Sequence, residues 1–202
     1  PRFIPDKGGR QIHELAGRPA CLIEFLHGVS LSHPTPAQAL AAGEALGQMH
    51  SALKDFSDSR PNTLGPSGWR PMADACTRAG LDAIDAGLAD EVYAMLDQLE
   101  ANWPADLPRS VIHADLFPDN VLMLGDEVTG LIDFYFACHD ITAYDVAITH
   151  SAWCFDAKGR NFDAGLSHGL MAGYARAATL SNAERAALPA LADVTVCDGP
   201  PR

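Results

Sequence analysis

One short stretch of this 202-residue sequence concentrates residue types that do chemistry: His113-Ala114-Asp115-Leu116-Phe117-Pro118-Asp119-Asn120, followed after a turn by Ile132-Asp133-Phe134. A histidine, an aspartate two residues on and an asparagine five further on would arise by chance about 0.02 times in a chain of this composition. Transfer of a phosphoryl group to an alcohol asks little covalent help of a protein. It needs a carboxylate beside the attacking hydroxyl and oxygen ligands that hold Mg2+ on the nucleotide phosphates. Asp115 suits the first role. Asn120 offers an amide oxygen and Asp133 a charged second ligand, a mixture that fits a hard cation which keeps several waters and takes one or two carboxylates. The plainer reading of the same residues is an Asx-rich turn and hairpin that satisfies its own backbone. A metal-dependent hydrolase built on His113 and Asp115 would need further His or Asp at ligand spacing, which the neighbouring sequence lacks. His113 itself reads as a packed ring bonded to loop backbone rather than as a base.

The elements that must position these residues follow from periodicity and punctuation. Ser110 to His113 is a short strand entering a loop, Val121 to Leu124 a second strand, Gly125-Asp126-Glu127 a turn, and Val128 to Phe134 a returning strand. The hairpin brings Asp133 alongside Asn120. Upstream, Lys7-Gly8-Gly9 is a turn between extended runs, and Pro19 to Leu26 reads as a strand ended by Gly28. Thr35, Pro36 and Gln38 form a helix start with a capping box, and Leu40, Gly43, Leu46, Met49 and Leu53 follow at helical steps. Residues 61–71 read as a loop. Leu81, Ile84, Leu88, Val92, Met95, Leu99 and Trp103 continue a helical period that Gly87 interrupts and Pro104 closes, with Val92, Met95 and Leu99 as core stripe. A helix over 141–155 with Asp140 at its cap, one near 163–177, and one opened by Ser181-x-x-Glu184 complete the pattern. Trp153, Cys154 and Phe155 read as core packing, and Cys197-Asp198-Gly199-Pro200 cannot continue a helix.

Composition narrows the partners. The formal charge of −12 excludes a general nucleic-acid binder or an anionic-membrane binder, since both polyanions repel it. No run of 18 apolar residues is present, so no spanning helix is expected. Five widely spaced cysteines without a C-x-x-C pair suit reduced thiols acting as small buried hydrophobes in a cytoplasmic protein. His27, His33, His50, His150 and His168 show no paired ligand spacing and read as surface or core residues.

The central motif resembles the protein-kinase catalytic loop, H-R-D-x4-N followed by D-F-G, with Ala114 in place of the arginine and Tyr135 in place of the glycine. Those departures point to the aminoglycoside phosphotransferase and choline kinase-like superfamily. The longer strings Val111 to Val121, Gly130 to Cys138 and Ala143 to Ile148 resemble the homoserine kinases of that superfamily, as do Phe25-Leu-x-Gly28, Gly68-Trp-Arg-Pro71 and Ala183 to Pro189. The similarity runs from about Pro19 to Ala192. It implies a mostly helical α+β, protein kinase-like fold: residues 1–26 as the remnant of an N-terminal β-lobe, 27–34 as hinge and linker, and 35–202 as a C-terminal helical lobe, truncated, that carries the catalytic hairpins.

The resemblance also implies ATP and Mg2+ as cofactors and transfer of the γ-phosphoryl group to L-homoserine, a step toward threonine. By that resemblance Asp115 is the catalytic base, Asn120 and Asp133 are the metal ligands, and Phe25 and Leu26 meet adenine at the hinge. Leu122 and Ile132 lie beneath the base, and His113 and Asp145 support the loop. For the ammonium group of a zwitterionic acceptor, His139 or Asp140 is the candidate. The alternatives are a kinase of another small alcohol, such as an aminoglycoside, choline or a sugar, and a non-catalytic nucleotide-binding module. The second draws on an absence: kinases of this fold hold phosphates from a glycine-rich loop and a strand lysine upstream of the hinge, whereas Lys7 stands beside a Gly-Gly turn with no such strand around it. The chain as written is therefore expected to carry the metal and base half of a site and to transfer phosphate poorly alone.

Overall fold

The computed structural model describes residues 2–156 and 159–195; Cys197 and the terminal Gly-Pro segment lie outside the described residues. Strands pair as three separate two-stranded ribbons. The first joins β1 (His13–Leu15) to β2 (Arg18–Ala20). The Lys7-Gly8-Gly9 turn forms as expected, with the Asp6 carboxylate accepting from Gly8 N and Arg10 N. The long strand expected over 19–26 does not form as one piece. Ile23 instead bridges Phe3, with Ile4 N donating to Leu22 O and Glu24 N to Arg2 O, so the segment changes partner after Ala20.

Helix α1 (Pro36–Ala52) opens with the capping box: Thr35 Oγ1 accepts from Gln38 N, and Gln38 Oε1 accepts from Thr35 N. Its buried face keeps Gly43 and Leu46 of the expected stripe and adds Ala39, Ala42, Gly47 and His50, because it meets α6 (Ala164–Ala177) backbone to backbone. A Cβ on Gly43 would stand 2.0 Å from Leu170 O, and one on Gly173 would stand 1.9 Å from Leu40 O. Only glycine permits that approach. Asp163 caps α6 through Gly165 N and Leu166 N, and the Ser181–Glu184 box opens α7 (Asn182–Thr195).

Residues 61–71 are only partly loop. Pro66 takes the first position of α2 (Pro66–Cys76), where its missing N–H costs nothing, and the Trp69 indole donates to Leu64 O at 2.7 Å. Trp69, Trp103 and Tyr144 stack edge to face at 5.1 and 5.2 Å, joining α2 to the core. Gly87, at φ +91°, separates α3 (Arg78–Asp82) from α4 (Leu88–Asn102). Val92 and Leu99 pack on the core, but Met95 is exposed and Ile84 lies 78% exposed in the break between the helices. That leaves the expected stripe incomplete.

Strand β3 (Arg109–Ile112) pairs antiparallel with β6 (Cys138–Ile141), a strand the periodicity did not show. β4 (Val121–Leu124) pairs with β5 (Glu127–Leu131), which ends three residues before Phe134 because Asp133 turns the chain into the left-handed region. Helix α5 (Thr142–Cys154) follows β6 directly. Asp140 belongs to β6 and does not cap it. Ile112, Leu116, Val121, Met123, Ile141, Val146, Trp153, Leu170 and Leu191 form one continuous core under the two ribbons. Cys138 and Cys154 are buried, and burial lifts their thiols to about 11 and about 12, whereas Cys21 and Cys76 are exposed, contrary to the expectation of buried thiols.

Candidate active site

The loop that carries Asp115 begins where β3 ends. After His113 the chain takes a left-handed turn at Ala114, φ +63°, a conformation an L-residue holds only when its surroundings enforce it. The enforcing group is Asp145 of α5. Its carboxylate is fully buried and accepts from His113 N at 2.7 Å and from Ala114 N at 2.8 Å. It also accepts from His50 Nε2 at 3.0 Å, and His50 Nδ1 lies 3.0 Å from the Tyr174 hydroxyl. Burial alone would push the Asp145 carboxyl up. The hydrogen bond and charge of His50, with the two backbone N–H groups, more than offset burial and hold it below the ordinary carboxylate range. Burial, then the charges of Glu184 and Asp145, push the Tyr174 phenol up.

Beyond Ala114, the Asp115 carbonyl accepts from Phe117 N at 2.8 Å and from Asn120 Nδ2 at 2.7 Å. The same Nδ2 lies 3.2 Å from Asp115 Oδ2. Asn120 therefore turns its amide hydrogens toward Asp115 and its Oδ1, the atom a hard cation would take, the other way. A single turn of 3-10 helix over Pro118–Asn120 delivers the asparagine into β4. The hairpin returns at Ile132, whose N–H donates to Asn120 O at 3.0 Å. His113 Nε2 faces the Ile132 carbonyl at 2.9 Å, so that nitrogen carries the proton and donates. Ile132 is thus held on both sides, by the loop's last residue and by its first. Asp133 follows at φ +61°, ψ +55°, exposed, its carboxylate making no hydrogen bond or ion pair among the described residues. The Phe134 ring lies 4.6 Å from that of His113.

The structure thereby brings Asp115, Asn120, Asp133, His113 and Asp145 into one neighbourhood. Their donor chemistry fits Mg2+: the Asn120 amide oxygen is not taken up by Asp115, and the Asp133 carboxylate is open, a neutral oxygen and one carboxylate such as this cation takes beside phosphate oxygens.

Residues 26–29 lie against the same hairpin. Val29 and Met123 exchange backbone hydrogen bonds at 2.9 and 3.0 Å, and Leu26 packs over Gly130, the register partner of Leu122. Leu26, Leu122 and Ile132 are half-buried on this side. Phe25 stands apart, 80% exposed, its ring edge-on to His27 at 5.4 Å.

Asp140 and His139 are placed differently from each other. Asp140 is buried, and both its oxygens already hold donors: Oδ1 takes Ile141 N at 2.7 Å and Arg109 at 2.8 Å, and Oδ2 takes Asn62 at 2.8 Å. His139 donates its backbone N–H to Arg60 O at 2.7 Å and lines an open cavity of about 260 Å³ with Phe56, Asp58, Arg60, Val111 and Cys138.

Sequence reasoning missed His50, Tyr174 and Trp153 as parts of this neighbourhood. For His50 a signal existed, its phase on the buried face of α1; for Tyr174 and Trp153 the contact is visible only in three dimensions.

A helical lobe whose strand-loop-strand presents this set is the fold of kinase-like phosphotransferases. The chain superposes on the microcompartment-associated aminopropanol kinase with a TM-score of 0.68 and 18% identity, covering 96% of this chain and 63% of that one. It superposes on an amicoumacin kinase in complex with AMP-PNP, Ca2+ and Ami with a TM-score of 0.66 and 15% identity, covering 96% and 61%. The class is thus an α+β, mostly helical kinase-like fold.

The chain belongs to the phosphotransferase enzyme family, whose model matches residues 1–180. A homoserine kinase of Zymomonas mobilis subsp. mobilis is 50% identical over 187 residues, 93% of this chain and 58% of that protein. The chain therefore spans less than two thirds of that relative's length.

Proposed function

We propose that this site transfers the γ-phosphoryl group of ATP to the hydroxyl of L-homoserine, giving O-phospho-L-homoserine and ADP, in the cytoplasm. The observation that carries the reading is the triad of Asp115, Asn120 and Asp133, in which the asparagine bonds the base and turns its oxygen away from it, while the hairpin fixes the second carboxylate through Ile132. The sequence similarity to homoserine kinase supports the choice of acceptor. Asp115 accepts the hydroxyl proton as the new O–P bond forms and the bond from phosphorus to the ADP oxygen breaks. Asn120 Oδ1 and the Asp133 carboxylate are the residues that would hold Mg2+, which when bound neutralises charge on the phosphates. Adenine would meet hinge backbone at Phe25 and Leu26 and lie over Leu122 and Ile132.

Among the described residues no helix is long and apolar enough to cross a membrane. The substrates proposed are small molecules in solution.

The test is ADP release by the purified protein with L-homoserine, compared with Asp115→Ala. Homoserine-dependent release abolished by the substitution supports the reading. Turnover of choline, an aminoglycoside or an amino alcohol with homoserine untouched would overturn the acceptor, and release unaffected by Asp115→Ala would overturn the site.

A further inference from the structure

The loop that carries Asp115 is held by its own turns, by Asp145, by Ser30 Oγ on the Asp119 carbonyl and by Ile132 N on the Asn120 carbonyl, and a further grip falls directly after Asp115. The Leu116 carbonyl accepts from the Trp153 indole N–H at 2.9 Å. Leu116 is fully buried and Trp153 is 1% exposed, so no solvent substitutes for that donor. Trp153 and Asp145 lie on the same helix, eight residues and about 12 Å of rise apart. The segment of chain they grip runs from His113 N to Leu116 O. One grip falls before Asp115 and the other after it.

We propose that Trp153 is a positioning residue for the catalytic loop: α5 holds Asp115 from both sides, Asp145 collecting the N–H groups before it and the Trp153 indole the carbonyl after it. This rests on the reading of Asp115 as the base only for its effect on turnover. Packing alone does not account for Trp153. An apolar ring of similar size would fill the same core, whereas a buried indole is retained where its N–H reaches a partner. Without the donor, the Leu116 carbonyl is left buried and unpaired, and the peptide beside Asp115 is free to rotate. A misplacement of about 1 Å at a reacting group costs up to about 100-fold in rate.

Two replacements test it: Trp153→Phe, and site-specific incorporation of the benzothienyl isostere at 153, which keeps the indole volume and removes only the N–H. The first readout is amide hydrogen exchange at neutral pH. Exchange at Phe117 and Asn120 should speed up about tenfold while amides of α5 and α1 keep the wild-type rate. Unchanged exchange in the loop, or an equal increase in α5, α1 and the loop, overturns the proposal and leaves Trp153 as core packing. The second readout is kinetic, in an enzyme that turns over homoserine: kcat should fall about tenfold with KM for ATP within twofold. A raised KM with unchanged kcat also overturns it. If the wild-type protein phosphorylates no alcohol, the exchange comparison alone decides whether Trp153 anchors the loop.

Discussion

Replacing Asp145 by asparagine removes one charge and one acceptor from the centre of the loop's support, and the geometry allows its effect to be worked out. In the wild-type protein Oδ2 takes His50 Nε2 and His113 N, and Oδ1 takes Ala114 N. An asparagine that keeps its oxygen at the Oδ2 position must point its NH2 group at the Ala114 N–H, donor against donor. The stranded buried N–H costs about 1–3 kcal/mol. The two remaining bonds drop from charge-assisted to neutral, losing roughly half their strength. The sum, about 4 kcal/mol, agrees with the about 3–5 kcal/mol typical of breaking a buried ionic contact by altering one partner. For a domain of this size that corresponds to a fall in Tm of about 8–16 °C. Urea unfolding followed by circular dichroism, at pH 7, measures it. A loss below about 1 kcal/mol would refute the argument, because it would mean that the αL turn at Ala114 does not depend on the carboxylate.

The acid limb of stability should move when His50 is removed. The folded-state value of Asp145 lies below its ordinary range, so its contribution is fully present above that range and is lost as pH falls through the lowered value. In His50→Leu only the two backbone N–H groups oppose burial, the folded-state value rises, and the acid unfolding midpoint should shift to higher pH; an unchanged midpoint by circular dichroism contradicts the assignment. Gly43→Ala should destabilise by roughly 1–3 kcal/mol or more, since the added Cβ meets the Leu170 backbone at 2.0 Å, whereas Gly47→Ala, at 3.0 Å from Tyr174 O, should cost less. Thermal unfolding of the pair checks the order. Asp133→Asn should weaken Mg-nucleotide binding as well as turnover, while Asp115→Asn should lower turnover with nucleotide affinity retained; equal affinities measured by calorimetry would undo that division of roles.

What could be read from the sequence was what local hydrogen bonding decides. The Thr35–Gln38 and Ser181–Glu184 boxes, the Asp163 cap and the turn at Gly125 involve residues within a few positions of one another, and all formed as read. The fold was legible from one motif and its resemblances rather than from periodicity. Strand β6 was not, because Cys138-His139-Asp140-Ile141 buries a carboxylate whose donors, Arg109 and Asn62, come from distant parts of the chain. Helix α2 hid behind Pro66, Gly68 and Pro71, which signal a loop unless the first proline sits at a helix start. The stripe read along α1 caught Gly43 and Leu46 but not Ala39, Ala42, Gly47 and His50, because a seam of glycine and alanine carries little hydrophobic signal. Asp145 entered as a loop support through the resemblance alone, while its partner His50 and the indole of Trp153 went unread: Asp145 and His50 are 95 positions apart, Trp153 and Leu116 37, and no spacing rule joins them.

Gln38, which closes the capping box of α1, also donates its Nε2 to the Gly125 carbonyl at the tip of the β4–β5 hairpin. The same helix, twelve residues on, presents His50 to Asp145. One rigid rod about 18 Å long between those points therefore references both halves of the site, the hairpin that ends in Asp133 and the loop that carries Asp115. Thermal displacement of one half relative to the other must stretch or tilt that rod, so the separation between Asp115 and Asp133 is set by a fixed gauge length rather than by the compliance of either loop.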